Sequence, residues 1–159
     1  MYKSLTWSEL LLFHRNANIG CIGRSEFVSN KYIIFKHILK SRLKICNTEY
    51  IKQTIFKTNE QYILTKNDFQ YDLSRNVAHM LLWINPNNSN NDWITPGVDL
   101  NKLDYFQEII YDKLIAEFKS KSDSNTNVDG DIKYIYFENE ETHRSIPEFR
   151  HFHIFILNS

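Results

Sequence analysis

The sequence predicts an α+β fold, with a helical N-terminal part followed by an antiparallel sheet that carries one packed helix. Three observations support this. Residues 1–66 place apolar side chains at helical spacing with no strict alternation; Val77 to Ile84 is a compact apolar run; and Leu103, Phe106, Ile110, Leu114 and Phe118 step by three or four residues.

In chain order, Ser4-Leu5-Thr6-Trp7-Ser8-Glu9 reads as a cap with an acidic first turn, followed by Leu10, Leu11 and Phe13, and this helix ends near Asn18 to Gly23. A second helix begins at Ser25 or Ser29 and runs through Tyr32, Ile33, Phe35, Ile38 and Leu39, with Lys36, Lys40, Arg42 and Lys44 on its exposed side. A short third helix follows Asn47-Thr48-Glu49. The run Val77 to Ile84, bounded by Asn76 and by Asn85-Pro86-Asn87-Asn88, has the length and boundaries of a buried strand. Asp99 stands where the N-cap of the next helix belongs, residues 120–131 are Ser/Asn/Asp-rich and are expected to be mobile, and strands follow at Ile132 to Phe137 and Phe149 to Leu157. From residue 77 the order is therefore β, α, β, β. The expectation is a single domain over residues 1–159, with a basic helical part (1–66) and an α+β part (67–159).

The 159 residues amount to about one domain's worth of chain, and 42% hydrophobic content with eleven Phe and nine Tyr is ample for a core. No run of about 18 apolar residues exists, and the longest apolar stretch near the start is Leu10 to Phe13, so the expectation is a soluble cytoplasmic chain with neither membrane span nor signal peptide. Cys21 and Cys46 lack any Cys-x-x-Cys spacing and read as free thiols. A net charge of zero argues against nonspecific nucleic-acid binding. The distribution is uneven, however. Residues 1–66 hold eleven Lys/Arg against four Asp/Glu, a surplus of seven, and the remainder holds the opposite surplus. The plain reading is that the halves attract each other and that Lys36, Lys40, Arg42 and Lys44 form a solvated face; the sharper one is a phosphate-facing helix.

Strand geometry puts His151, His153 and Phe155 on one face of the last strand and Phe152, Ile154 and Ile156 on the other; in the strand at 77–84, His79 and Trp83 likewise share a face. If the two strands lie in one sheet, three imidazoles and a tryptophan line a common site. Ordinary sheet-surface histidines are the plain alternative. A metal site is another, since imidazoles at i and i+2 can ligate one ion, but no Cys or Asp spacing supports it and no metal or cofactor is called for. The two-histidine phosphoesterase pattern is rejected, because no Ser or Thr stands two residues after His79 or His151. Trp83 and Trp93 are candidates for base stacking or for the core, and Asn67-Asp68 for a turn cap or a ribose contact.

Asn67-Asp68-Phe69-Gln70-Tyr71, His79-Met80-Leu81-Leu82-Trp83, Phe137-Glu138-Asn139 and His151-Phe152-His153 together resemble the pattern of a mainly fungal domain-of-unknown-function family. Trp7-Ser8-Glu9-Leu10, Gly23-Arg24-Ser25 and Tyr32 extend the resemblance more loosely toward the N-terminus. The arrangement is in turn similar to the histidine-triad (HIT-like) nucleotide hydrolases and transferases, and the resemblance implies a HIT-like fold and a nucleotide or capped-RNA-like small ligand. It further implies that His153 is the nucleophile toward a nucleotide phosphate, that His151 and His79 orient it and contact phosphate, that Asn139 orients the site, and that Trp83 lines the pocket. The sequence departs from the triad at Phe155, which cannot bond a phosphate, and it lacks a glycine-rich turn after Asn139; His143 or Arg144 is the candidate replacement donor. Two functions stay open at this point: nucleotide phosphoanhydride hydrolysis or nucleotidyl transfer, and a non-catalytic module binding a nucleotide, an RNA cap or a protein.

Overall fold

The computed structural model describes residues 4–88, 104–121, 132–139, 144 and 146–158. His143, Trp93, Asp99, Leu103 and residues 122–131 lie outside the described residues, and with them the expected N-cap, the substitute histidine donor and most of the expected mobile segment.

Helix α1 (Trp7–Arg15) starts where Thr6 and Glu9, both within the expected cap segment, close a reciprocal capping box, and it ends at Arg15 before a single 3-10 turn at Ile19–Cys21. Helix α2 (Glu26–Ile38) is capped by the Ser25 hydroxyl, which accepts from the Val28 amide. It runs into a π-turn at Leu39–Leu43 that closes on Lys44 in the left-handed conformation, φ 58°. Helix α3 spans Asn47–Thr54.

Among the described residues the sheet has four strands, all antiparallel, in the order β1-β2-β4-β3: β1 Tyr62–Lys66, β2 Val77–Ile84, β3 Tyr134–Phe137 and β4 His151–Leu157. Strand β1 falls within the segment read from the sequence as helical. Tyr62 and Leu64 pack on one face of the sheet and Ile63 on the other, so burial on both sides hides the period-two signal. The remaining strands lie where the apolar runs predict, with β3 and β4 each beginning two residues later than expected.

Helix α4 (Asp104–Lys121) covers one face, where Phe106, Ile110 and Leu114 pack against Met80, Leu82, Phe152, Ile154 and Ile156. The other face is not open to solvent, as the surface-histidine reading would have it. Leu10 and Ile22 pack there against Val77, Ile135, Phe137 and Phe155, while Ile51 and Phe56 pack against Trp83 and Phe149. The helical N-terminal part is thus a third layer lying directly on the histidine face. No helix among the described residues is long and apolar enough to cross a membrane.

Candidate functional site: a buried histidine network between sheet and helices

Register brings the sequence-predicted residues together. Strands β2 and β4 pair His79 with Phe155, Leu81 with His153 and Trp83 with His151, so His79 and His153 stand diagonally across the ladder on one face. Their rings meet, with His79 Nε2 2.9 Å from His153 Nδ1. The three histidines are 0%, 5% and 3% exposed for His79, His151 and His153, because the helical layer covers them.

The hydrogen-bond chain fixes where the protons sit. The backbone amide of Tyr71 donates to His79 Nδ1 at 3.1 Å, so the proton of neutral His79 is on Nε2, and it is donated to His153 Nδ1. His153 must then carry its own proton on Nε2, facing the side-chain amide of Asn139 at 3.0 Å and the Tyr71 hydroxyl at 3.4 Å. The Asn139 side-chain amide donates to the Tyr71 hydroxyl across 2.9 Å, and that hydroxyl oxygen is an acceptor facing the His153 Nε2 proton. Both ring nitrogens of His153 are therefore occupied inside the protein.

His151 is different. Its Nδ1–H donates to the Phe149 carbonyl at 2.9 Å, which leaves the lone pair on Nε2, and no partner for that nitrogen is found among the described residues. The ring stacks on Trp83, with centroids 4.7 Å apart and planes 30° from parallel, while Trp83 donates its indole N–H to Thr65 Oγ1 at 2.9 Å.

Burial, which penalises the imidazolium, holds all three rings neutral. His79 is lowered to about 3 by burial first, with Arg24 and His151 adding repulsion. His153 is held well below its ordinary value by burial, then by the two neighbouring imidazoles and Arg24. His151 is lowered by burial too, opposed in part by its bond to the Phe149 carbonyl. Burial raises the Tyr71 phenol, against the Asn139 bond and the Arg24 charge.

Two residues that the sequence reading left out of the site organise it, Tyr71 and Arg24. Asn67 accepts the Phe69 amide in a local turn at 2.9 Å, and that turn swings Tyr71 in to stack on His153 at 5.0 Å and 22°. Asn67-Asp68 is thus a turn device, with the Asn67 amide also 3.3 Å from both nitrogens of His79. The signal was in the sequence: Tyr71 closes the quoted Asn-Asp-aromatic-x-Tyr motif. Arg24 donates through Nε to the Phe69 carbonyl at 3.1 Å and lies 4.6 Å over the Tyr32 ring. Arg144 is anchored, its Nε donating to the Asn139 carbonyl at 2.7 Å and its Nη2 lying 3.2 Å from Glu138.

Two cavities meet at Arg24. An inner one of about 90 Å³ lies between the layers, lined by Trp83, His151, His153, Tyr32, Phe69 and Lys66 among others. An outer one of about 420 Å³ lies beyond Tyr71 and Asn139, against the loop Ala17 to Gly23 and Glu138. Glu138 is already shared by Arg150 at 3.0 Å and Arg144 at 3.2 Å, which leaves Arg24 as a lining cation of the outer cavity that this carboxylate does not hold. The expected single pocket is therefore divided: Asn139 faces the outer cavity, Trp83 and His151 face the inner one, and Phe155 is core at 0% exposure. No group of three or more His, Cys, Asp or Glu able to hold a metal ion is found among the described residues.

A family model described as "Protein of unknown function (DUF3605)" matches residues 23–157. A solved structure entitled "Crystal Structure of HTC1" is similar over 97% of this chain and 85% of its own, with a TM-score of 0.57 at 15% identity, a likeness of fold alone. No curated protein matches.

Proposed function

The chain belongs to the DUF3605 family of proteins of unknown function, and from that premise we propose that it is a non-catalytic binding module for a small phosphate-bearing ligand of the nucleotide class. The observation that carries this reading is the closed His79–His153–Asn139–Tyr71 network beside a cavity lined by Arg24. A nucleophile needs a free lone pair, and His153 has none to offer while His79 donates to it. Phe155 in the core removes the third triad ring. The network serves instead as a rigid wall that presents Asn139, with Arg24 as the cation for phosphate and the outer cavity of about 420 Å³ in the usual range for small-molecule sites, roughly 300 to 1,000 Å³.

One observation favours a second, catalytic reading, namely the unoccupied Nε2 of His151. In that reading the nucleophile or base is His151, with His153 a positioning residue. Calorimetric titration with AMP, ATP, a dinucleoside polyphosphate and a cap analogue, together with a turnover assay, separates the two. The module reading expects binding that falls at least tenfold in Arg24→Ala, with no turnover. Turnover that His151→Ala abolishes supports the enzyme instead, and absence of binding to every probe at millimolar concentration overturns both.

A further inference from the structure

The inner hollow carries two buried polar groups that the described residues leave half satisfied. His151, 5% exposed, donates its Nδ1 proton to the Phe149 carbonyl, and no donor to its Nε2 lone pair is found among the described residues. Tyr32, 8% exposed, accepts the Asn47 side-chain amide on its hydroxyl oxygen at 2.8 Å, and no acceptor for its own hydroxyl proton is found among the described residues. Both line the hollow, His151 from β4 in the sheet and Tyr32 from α2 in the helical layer. Buried polar groups are normally paired, so an acceptor and a donor left over on the two walls of one cavity mark the place of a ligand with the opposite pattern.

The rest of the lining is largely flat and apolar. Phe69 meets Tyr32 at 4.9 Å and Phe35 at 5.2 Å, and Phe35 meets Tyr50 at 5.1 Å, which makes one aromatic wall. On the sheet side Trp83 is stacked on His151, and its indole N–H is committed to Thr65. Walls of this kind suit a planar ring and offer few polar contacts, so those few decide which ring is held. At about 90 Å³ the hollow is small, and a single six-membered ring requires the least widening of the helical layer. Arg24 lines both this hollow and the outer cavity, so a ring placed here is continuous with a phosphate held at Arg24.

Building on the phosphate-binding reading above, we propose that the inner hollow holds the base of the nucleotide and selects cytosine. On one edge cytosine offers an amine donor at N4 beside a ring-nitrogen acceptor at N3, the pattern that His151 Nε2 and the Tyr32 hydroxyl complete. Uracil inverts both groups, with a carbonyl in place of the amine and an N–H at N3, so it sets acceptor against lone pair and donor against hydroxyl proton. Adenine shares the amine and ring-nitrogen pair but brings a second ring, which demands a larger displacement of the helical layer. A site built on buried partners rejects the ring of the wrong pattern because those partners are then left unpaired. His151 is a binding residue in this arrangement, its lone pair engaged by the amine.

The test is calorimetric titration of the full chain with CMP, UMP, AMP, ribose 5-phosphate, cytidine and uridine, in the wild type, His151→Phe and Tyr32→Phe. CMP should bind at least tenfold tighter than UMP, AMP or ribose 5-phosphate. Each substitution should bring CMP down to the level of UMP and leave ribose 5-phosphate unchanged, since both keep a ring in place, including the one that Arg24 lies over at 4.6 Å. A readout that needs no variant is the ¹⁵N resonance of His151 Nε2, which should move upfield on saturation with CMP and stay in place with ribose 5-phosphate. Equal affinity for CMP and UMP, tighter binding of AMP than of CMP, or an Nε2 resonance that CMP leaves unmoved overturns the inference. Ribose 5-phosphate binding as tightly as CMP overturns it and spares the phosphate reading. Cytidine bound in preference to uridine, with no affinity for ribose 5-phosphate, upholds the base site and overturns the phosphate reading, and absence of binding to every probe overturns both.

Discussion

At the residue scale, the informative feature is that three imidazoles are placed where charging them is expensive. A histidine whose value is lowered on folding takes up its proton more readily in the unfolded chain, so stability falls as pH drops below about 6.5, the ordinary value of the unfolded ring. For His79 the loss continues down to the folded value of about 3. Each ring contributes up to about 1.4 kcal/mol per pH unit within its window. Urea denaturation at pH 7.5, 6.5 and 5.5 should show a fall on the order of 1 kcal/mol over the first interval and one roughly two to three times larger over the second; a flat response means that the rings are solvated. A second prediction concerns protons rather than stability. Long-range ¹H–¹⁵N correlation should report Nε2–H on His79 and His153 and Nδ1–H on His151, and Nδ1–H on His153 would break the donor chain derived above and restore that ring as a nucleophile. The meeting of these residues was legible in the sequence, because two strands with histidines on one face need only pair in register. Their burial was not: nothing in the local pattern of His151-Phe152-His153 shows that a separate layer of helices lies over them.

At the scale of elements, β4 shows why fold was easier to read than chemistry. Its residues 152 to 156 are all buried, so the strand is recognised as an apolar run, yet its two faces enter different environments. Phe155 packs among Leu10, Val77, Ile135 and Phe137, with its ring 4.6 Å from that of His79. Phe155→His, which completes the triad on paper, should therefore create no activity. It should also cost about 1 to 3 kcal/mol, because a polar ring is placed where an apolar one is fully packed; a stable variant that turns over nucleotide would show that this position belongs to a reaction site. Strand β2 and the stripe of α4 were readable for a simple reason: each buries a continuous apolar surface at the period of its own structure. Strand β1 was not, since Ile63 and Leu64 enter opposite cores and Thr65 is there to receive the Trp83 indole. Glu138 is another element-level feature that spacing cannot reveal. Its carboxylate joins the end of β3 to Arg144 and to Arg150 just before β4, and Glu138→Ala should destabilise the protein by about 3 kcal/mol, at the lower edge for buried pairs because both arginines retain about a fifth of their exposure. Equilibrium denaturation measures this, and a change below about 0.5 kcal/mol would assign the pair to the surface class.

At the scale of the whole molecule, three layers hold together with unequal strength, and the inequality decides how a ligand reaches the inner cavity. The sheet is cross-linked by three antiparallel ladders and buries apolar side chains on both faces, while α2 touches the body through a limited strip that includes Tyr32, Phe35 and Leu39 and leaves much of its circumference exposed. The basic surplus of the N-terminal half does not tighten that contact, since its α2 cations stand free of ion pairs among the described residues. Local opening free energies follow packing of this kind, from near zero up to the global value. Native-state hydrogen exchange should accordingly find the amides of β2 and β4 exchanging only on global unfolding, with those of α2 and the π-turn at least a hundredfold faster. The difference bears directly on function. A hollow of about 90 Å³ between Trp83, His151 and the helical layer is far smaller than the outer cavity of about 420 Å³, and it widens for a ligand ring only when that layer moves. If α2 proves as protected as β4, the inner hollow keeps its small volume, His151 meets no nucleotide ring, and binding is confined to Arg24 and Asn139 at the outer cavity.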